Sequence, residues 1–333
     1  MKSVILVQVK NSFGYLPAFI AHHRRLVDKI IIIDHNSHRE LSGLAKDDVE
    51  VFRISAGYFA QELYAAYFIN TLDLRKYYDF LFLLDADEFL PFQSKPEFDH
   101  FLEERQNTAA IFMQWRNGFA SSSSRLDGDT KLKFTKWRNS TRKMIYNLKR
   151  VGDILPVGGN HNAKYPFLDS LVLQARPKKE DSGLGLLHVP FLGLDGLRRK
   201  IRDFPQELFG AKLLSNFKHL GINVDFSLPD YGLSEEDLML FVANYTTKPS
   251  DMRRDVTGST FEEIELFSGL QDQIDTLTGD LDNCPVAPAP PEFIGEAELV
   301  EQLRATKFFV FRRLEACFGI QADGTFAFNL PRK

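Results

Sequence analysis

Five short and nearly continuous apolar runs in the first 115 residues constrain the fold of this chain most strongly. Runs of this length and composition are typical of strands that are buried on both faces of a sheet. Stretches with helical spacing separate them, and this alternation predicts an α/β fold with a mostly parallel central sheet and helices on both faces. The runs are SVILVQV (3–9), KIIIID (29–34), VEVFRI (49–54), FLFLLD (80–85) and AAIFMQW (109–115).

Three helices are predicted between these runs, at YLPAFIAHHRRLV (15–27), at AQELYAAYFINTLDL (60–74) and from Pro96 to Arg105. In the first of them, His23 falls on the apolar face and His22 does not. A helix that covers one face of a sheet buries one side only. We therefore expect His23 to be packed and His22 to be exposed.

Beyond residue 115 the pattern changes. Residues 131–150 contain eight Lys or Arg and no acid, which predicts a basic hairpin that turns near Asn139. Such a hairpin is either solvated or neutralises a phosphate-bearing ligand. Helical patterns dominate later, so we expect a catalytic domain over 1–225 and a mainly helical C-terminal region over 226–333, with a Pro-rich connector at 284–293. The C-terminal helices are expected to cover an acceptor or to form a homo-oligomer contact.

Composition limits the partners and the cellular compartment that we expect for this protein. A net charge of −4 gives no reason to expect nucleic acid or an anionic membrane as a partner. The two cysteines, Cys284 and Cys317, suit a reducing compartment and argue against a disulfide scaffold. The first apolar run is too short for a signal peptide, and no stretch reaches the ~20 apolar residues of a transmembrane segment. We expect a cytoplasmic protein, either free or peripheral at the inner face of the membrane.

The fourth apolar run ends abruptly in Asp85, Asp87 and Glu88. Residues i and i+2 of an extended chain point the same way, so Asp85 and Asp87 can aim at one spot. Two carboxylates there would repel each other unless a cation lies between them, and oxygen ligands favour Mg²⁺ or Mn²⁺. The alternative is a solvated strand end. Lys10, Asn11 and Asp34 end the first two runs, so they are expected at the same edge of the sheet.

The sequence resembles a known family over about residues 4–90. The stretches VQVKNSFGYLPAFIAHHRRLVDKIIIIDHNS and LFLLDADEFL resemble the GT-A glycosyltransferases of the family 2-like and family 92-like group, in the order and spacing of the motifs. The likeness continues more weakly in QWRNGFASS (114–122) and LLHVP (186–190). One departure is Ser12, which stands where the family usually has an acidic residue after Lys-Asn.

The resemblance implies a GT-A, Rossmann-like fold and a metal-dependent transferase. Its donor would be a nucleoside-diphosphate sugar, expected to be UDP-linked, and its acceptor a glycan or lipid-linked glycan. The sugar would be transferred with inversion, and the expected pathway is polysaccharide biosynthesis. The implied metal ligands are Asp85, Asp87 and His188, and an imidazole would favour Mn²⁺ over Mg²⁺. A histidine after two leucines is also common in a core. The donor-binding candidates are Lys10, Asn11, Asp34, Asn36, Gln61, Asp85, Lys143, His161 and Lys200.

The catalytic base is not singled out by the sequence. Asp153, Glu180 and Asp181 are candidates because they lie where the family usually places acceptor-side residues. Trp115 and Trp137 could stack on a sugar or belong to the core.

Two other functions compete with this hypothesis. Haloacid-dehalogenase-type phosphohydrolases also carry an apolar strand that ends in D-x-D, but their motif lies near the N-terminus, whereas here it follows three earlier strands. A non-catalytic nucleotide-sugar-binding protein would keep the donor site without a base. Turnover of the donor would distinguish an enzyme from such a binding protein.

Overall fold

The structure is a computed structural model. It describes residues 1–54, 64–65, 67–69, 72–120, 124–151, 154–157, 162–164, 179–193, 196–197, 211–225, 228, 232–287, 319–320 and 326–327.

Fourteen strands and six α-helices lie in this part of the chain. The strands are β1 (Ser3–Val9), β2 (Lys29–His35), β3 (Val49–Ile54), β4 (Phe80–Asp85), β5 (Glu88–Phe89), β6 (Ala110–Phe119), β7 (Leu132–Thr135), β8 (Arg142–Asn147), β9 (Leu155–Val157), β10 (Asn162–Lys164), β11 (Lys179–His188), β12 (Phe261–Ile264), β13 (Gly319–Ile320) and β14 (Phe326–Ala327). The helices are α1 (Leu16–Arg24), α2 (Leu74–Tyr77), α3 (Lys95–Glu104), α4 (Ala211–Leu220), α5 (Glu235–Ala243) and α6 (Gln271–Asp282).

The central sheet is mostly parallel, as the sequence predicted, and all five apolar runs are strands in it. Strands β3, β2, β1 and β4 are adjacent and parallel. Strand β8 lies antiparallel between β4 and β6, so β6 runs in the direction of β4, and β11 pairs parallel with β6. The ends of β1, β2, β4, β6 and β11 therefore lie along one side of the sheet, which we call the carboxyl edge.

Apolar side chains cover both faces of the sheet because alternate residues of each strand point to opposite sides. On β1, Ile5 and Val7 enter one core together with α1, α3 and α6. Val4 and Leu6 enter a second core that includes Leu74 of α2. A third core joins Phe217 of α4, Phe241 of α5 and neighbouring residues near the end of β6.

Helix α1 is buried on all sides, which corrects the expectation for His22. Both His22 and His23 are fully buried. The reason is that His22 packs against Phe89 and Leu90 and against Phe267, which is more than 240 residues later in the chain. Of the other two predicted helices, α3 confirms the one from Pro96, and the one at 60–74 is described only in part, with residues 64–65 and 67–69 helical.

The predicted basic hairpin is wrong. Strand β7 pairs with β6 and β12, whereas β8 pairs with β4 and β6, so the two basic strands do not pair with each other. Several basic side chains of this segment form ion pairs with distant acids, such as Lys131 with Glu263 and Arg138 with Asp181.

The described part of the C-terminal region is joined to the sheet and its core. Strand β12 extends the sheet through β7, and α6 contributes Ile274 and Leu281 to the first core. Of the Pro-rich connector, residues 284–287 are described, and Ala287 N donates to His38 O at 2.8 Å. Among the described residues, no helix has the length and apolar character needed to cross a membrane.

Candidate active site

The acidic residues after β4 form a tight loop, residues 85–89, which we call the acidic loop. The chain turns at Ala86–Asp87 and enters the two-residue strand β5, which pairs antiparallel with the end of β11. In this pairing His188 lies opposite Glu88, and Val189 N donates to Asp87 O at 2.8 Å. The backbone thus brings two residues that are distant in sequence together, with His188 Nε2 3.7 Å from Asp87 Oδ2.

The orientation of the His188 ring is fixed from behind. Asn117, near the end of β6, donates its amide NH₂ to Tyr245 O at 3.1 Å, so its Oδ1 accepts from His188 Nδ1 at 2.9 Å. A neutral imidazole with its proton on Nδ1 carries its lone pair on Nε2. The nitrogen that faces Asp87 is therefore the one that can bind a cation. The Trp115 ring stacks on the His188 ring, with their centroids 3.8 Å apart.

The carbonyl that holds Asn117 is itself held by a strained residue. Thr246 has φ 62°, in the left-handed region that β-branched residues rarely occupy. Its hydroxyl donates to Tyr245 O at 2.6 Å and lies 2.9 Å from the hydroxyl of Thr141. Strain of this kind persists where the surroundings over-determine it, and it clusters at functional sites. Here the strained residue, Thr246, is connected to His188 through Tyr245 O and Asn117.

Lys143, on β8, neutralises part of the acidic loop from inside the protein. Its Nζ lies 2.6 Å from Asp85 Oδ2 and 3.4 Å from Glu88 Oε2, and its side chain is 1% exposed. Burial alone would lower the pKa of Lys143, but Asp85 and Glu88 outweigh it, and the pKa lies above its usual value. Lys143 was expected to contact the donor; it instead lies beneath the loop.

Glu88 is the innermost acid of the loop and is fully buried. Its Oε2 accepts from Asp85 N at 2.8 Å, which closes the turn. Burial raises the pKa of Glu88 well above its usual value; Lys143 opposes this, and Asp85 and Asp87 add to it. The pKa shifts of Lys143 and Glu88 both favour the protonated form. The Lys143 ammonium is therefore paired with the carboxylate of Asp85, the nearer of the two acids. The cluster keeps an excess of negative charge.

The exit loops of β1 and β2 are bonded to each other. Asn11 and Asn36 both have φ 54°, a conformation that Asn tolerates better than most residues. Asn11 N donates to Ser37 Oγ at 3.0 Å, and His38 N donates to Asn11 Oδ1 at 2.8 Å. The side chain of Lys10, just before this contact, is exposed.

Asp34 supports these loops from below. It is fully buried, with one oxygen accepting from Ser37 N at 2.9 Å and the other from Arg53 Nη1 at 2.8 Å. The structure therefore places the expected nucleoside candidates Lys10, Asn11, Asp34 and Asn36 together at the carboxyl edge. Asp34 shapes the loop through its backbone contact.

Glu180 and Asp181 lie near the amino ends of β11 and β6, away from the carboxyl edge. Asp181 pairs with Phe112 and His188 with Asn117, so five residues of β6, or about 16 Å of strand, separate them. Glu180 accepts from the Thr108 hydroxyl at 2.6 Å, and Asp181 accepts from Arg138 at 2.7 Å. The structure does not bring these two base candidates to the acidic loop, and we do not propose either as the base.

Several other candidates are placed differently or not at all. The Trp115 ring stacks on His188, and the guanidinium of Arg253 lies 4.5 Å from the ring centroid of Trp137. Four candidates, Gln61, Asp153, His161 and Lys200, lie outside the described residues.

Asn117, Tyr245 and Gln8 also belong to this region, and their roles were not predicted from the sequence. The Gln8 amide lies at the end of β1, in register with Asp85, and neither of its buried polar atoms has a hydrogen-bond partner in the described part of the chain. The alternation along β1 could have identified Gln8 as a polar residue on an otherwise apolar face. Nothing local marks Asn117 or Tyr245, because their roles depend on contacts across more than 70 residues.

The side chains of the acidic loop and His188 supply only some of the ligands that a cation needs. Within the described ranges, no group of three or more His, Cys, Asp or Glu residues has metal-binding geometry. Asp87 and His188 supply one carboxylate and one imidazole, whereas Asp85 is bonded to Lys143. Mg²⁺ and similar ions are often held by one or two side chains, with the remaining ligands from phosphates and water. The pair fits such a shared site, and its imidazole favours Mn²⁺.

Comparison with known proteins gives little support for a family. Neither a protein-family model nor a curated protein sequence matches the chain. Among solved structures, the apo structure of WbbM, a bifunctional glycosyltransferase, is similar at 12% identity and a TM-score of 0.26. The likeness covers 45% of this chain and 32% of that one, so it spans about a third of that protein's length. At this level of similarity we infer neither fold nor function from it.

Proposed function

We propose that this protein is a metal-dependent GT-A glycosyltransferase, which uses a nucleoside-diphosphate sugar as donor and a glycan or lipid-linked glycan as acceptor. The observation that carries the proposal is the facing pair of Asp87 and His188, 3.7 Å apart at the carboxyl edge. In open α/β sheets, ligands bind at this edge. The sequence resemblance to GT-A enzymes over residues 4–90 supports a UDP-linked donor and Mn²⁺ as the metal.

Each part of the site has a role in this proposal. When bound, Mn²⁺ would act as a Lewis acid toward the diphosphate that leaves. Asp87 and His188 would hold it, and Asn117 keeps the His188 lone pair directed at the site. Lys143 stabilises the charge of Asp85 and so permits an acidic loop at the end of a buried strand. The exit loops of β1 and β2 would lie under the nucleoside.

In the transfer itself, an acceptor hydroxyl oxygen would attack the anomeric carbon of the sugar while the bond to the diphosphate oxygen breaks. The hydroxyl proton passes to a base, and the nucleoside diphosphate leaves with the bonding electron pair. Because Glu180 and Asp181 lie at the opposite edge, Asp153 is the sequence candidate for this base that remains to be tested.

Calorimetric titration of UDP into metal-free protein, with and without Mn²⁺, tests the donor site. We expect binding that requires Mn²⁺ and is lost in Asp87→Asn, since the amide removes the charged ligand but keeps the side-chain shape. The matched control is Asp181→Asn, an equivalent change about 16 Å away along the strand. Absence of UDP and Mn²⁺ binding in the wild-type protein would overturn the proposal.

A second measurement separates an enzyme from a binding protein. Slow release of sugar from UDP-glucose or UDP-galactose in the presence of Mn²⁺, measured as UDP formation, supports a transferase that uses water in place of its acceptor. Donor binding without any turnover across a panel of acceptors would indicate a nucleotide-sugar-binding protein.

A further inference from the structure

Two adjacent histidines of α1 bind both backbone polar groups of one residue at the exit of the acidic loop. His22 Nε2 donates to Leu90 O at 2.8 Å, and Leu90 N donates to His23 Nε2 at 3.2 Å. Leu90 and both histidines are fully buried. A buried backbone group without a partner destabilises the fold, and these two bonds supply partners to Leu90 after β5 ends at Phe89.

The two rings are held in opposite tautomers. His23 accepts from Leu90 N, so its proton lies on Nδ1, which donates to Phe19 O at 2.9 Å. His22 donates from Nε2, and its Nδ1 accepts from Arg25 Nη2 at 3.0 Å. Each ring nitrogen therefore has a defined partner and a defined direction. Exchange of either tautomer would break two hydrogen bonds.

This arrangement fixes the far end of the acidic loop. The near end is fixed by β4, and the loop between them is paired with β11 through Glu88 and Phe89. Phe89 also stacks on the His23 ring, with an interplanar angle of 10°. The position of the Asp87 carboxylate relative to His188 therefore depends on α1 as well as on the sheet.

We propose that His22 and His23 are positioning residues, which hold Leu90 so that Asp87 stays facing His188. The inference rests on the proposed metal site, and it assigns to α1 a role in that site that acts through Leu90. It also explains why two polar rings occupy the most buried helix of the first core.

Two substitutions at His22 separate positioning from packing. In His22→Gln the amide nitrogen reaches the place of Nε2 and can still donate to Leu90 O. In His22→Asn the shorter amide lies at the place of Nδ1, keeps an acceptor for Arg25 and cannot reach Leu90. Both variants lose the ring, so we expect similar losses in thermal midpoint.

The readout is the Kd for UDP in the presence of Mn²⁺, measured by calorimetry. We expect a tenfold or greater weakening in His22→Asn and less than about threefold in His22→Gln. Phe98→Leu, a buried change on α3 in the first core, is the control for general destabilisation. It should lower the thermal midpoint without changing the Kd.

Hydrogen–deuterium exchange of the metal-free protein gives an independent check. We expect faster exchange in the peptide that spans residues 86–91 for His22→Asn than for His22→Gln. If the wild type binds UDP with Mn²⁺ but both His22 variants or Phe98→Leu weaken it equally, the positioning role is overturned while the proposed function stands. If the wild type does not bind at all, both are overturned.

Discussion

Acidic residues lie in or beside both ends of β11, but their surroundings differ. At its beginning, Glu180 and Asp181 are about 40% exposed, and Asp181 pairs with Arg138 in a position open to water. At its end, the acidic loop shares one ammonium group, Lys143, which is 1% exposed. Exposed ion pairs contribute about 0–1 kcal/mol, whereas a buried charge without compensation is costly. Acids at the first end need only solvent, and those at the second end need a cation.

The largest expected effect comes from removing that internal cation. Lys143→Met leaves the Asp85 carboxylate without its partner, and we expect the free energy of unfolding to fall by about 3–5 kcal/mol in urea titrations. Adding Asp85→Asn to this variant should recover part of the loss, because it removes that unpaired charge.

The matched change at the other end is Arg138→Met. We expect a loss below about 1 kcal/mol there, because both partners are partly exposed. Equal losses in the two variants would show that the buried and exposed ion pairs do not differ as described.

Acid should also lower the free energy of unfolding, through the two buried histidines of α1. Burial and the nearby Arg25 lower the pKa of His22 from 6.5 to about 3, so the unfolded chain takes up a proton below pH 6.5 that the folded protein refuses. Stability is therefore lost as the pH falls, at about 1.4 kcal/mol per pH unit, or about 2 kcal/mol between pH 6.5 and 5, from His22 alone. His23 adds to this, since burial lowers its pKa as well.

His22→Gln removes one of these two groups. The slope of unfolding free energy against pH between 6.5 and 5 should then decrease by about 1.4 kcal/mol per pH unit, whereas Phe98→Leu, which removes no titratable group, should leave it unchanged. An unchanged slope in His22→Gln would contradict a neutral, buried His22.

A smaller effect is expected from the residue behind His188. Asn117→Leu removes the acceptor of His188 Nδ1, and partners of metal-bound histidines typically contribute 10- to 100-fold to metal affinity. We expect Mn²⁺-dependent UDP binding to weaken by this factor. Asn117→Asp keeps an acceptor oxygen and should retain most of the binding; a similar loss in both variants would show that the acceptor is not what matters.

The smallest effects are expected at the beginning of β11. Glu180→Gln and Asp181→Asn should change the free energy of unfolding by less than about 1 kcal/mol and leave the Kd for UDP unchanged. A large loss of UDP binding in either variant would mean that the ligand extends to the amino side of the sheet.

The sequence predicted the sheet because long apolar runs are a local signal. All five runs became strands, and the edge that carries Asp85 and Asp87 followed from their parallel order. Strand β5 gave no such signal, since two residues have no periodicity. Its pairing with β11 is what brings Asp87 and His188 together across 101 positions in the chain, and only the family resemblance suggested that they could meet.

The errors share one physical cause, which is that burial depends on partners far away in sequence. The alternation along β8 does not reveal that Lys143 points into the protein beneath two acids, because this depends on β8 lying between β4 and β6. His22 was expected to be exposed because periodicity assumes a helix with one covered face. Leu90 and Phe267 lie against His22, and nothing in residues 15–27 indicates these contacts.

The mutual bonds between the β1 and β2 exit loops have a consequence for the affinity of whatever binds above them. Ordering one residue of a flexible loop costs about 1–2 kcal/mol of conformational entropy. Asn11, with its αL backbone tied to Ser37 and His38, has lost that freedom already when the chain folds. A ligand that binds to these loops therefore meets a surface that is already ordered, and less of its binding free energy is lost to ordering the protein.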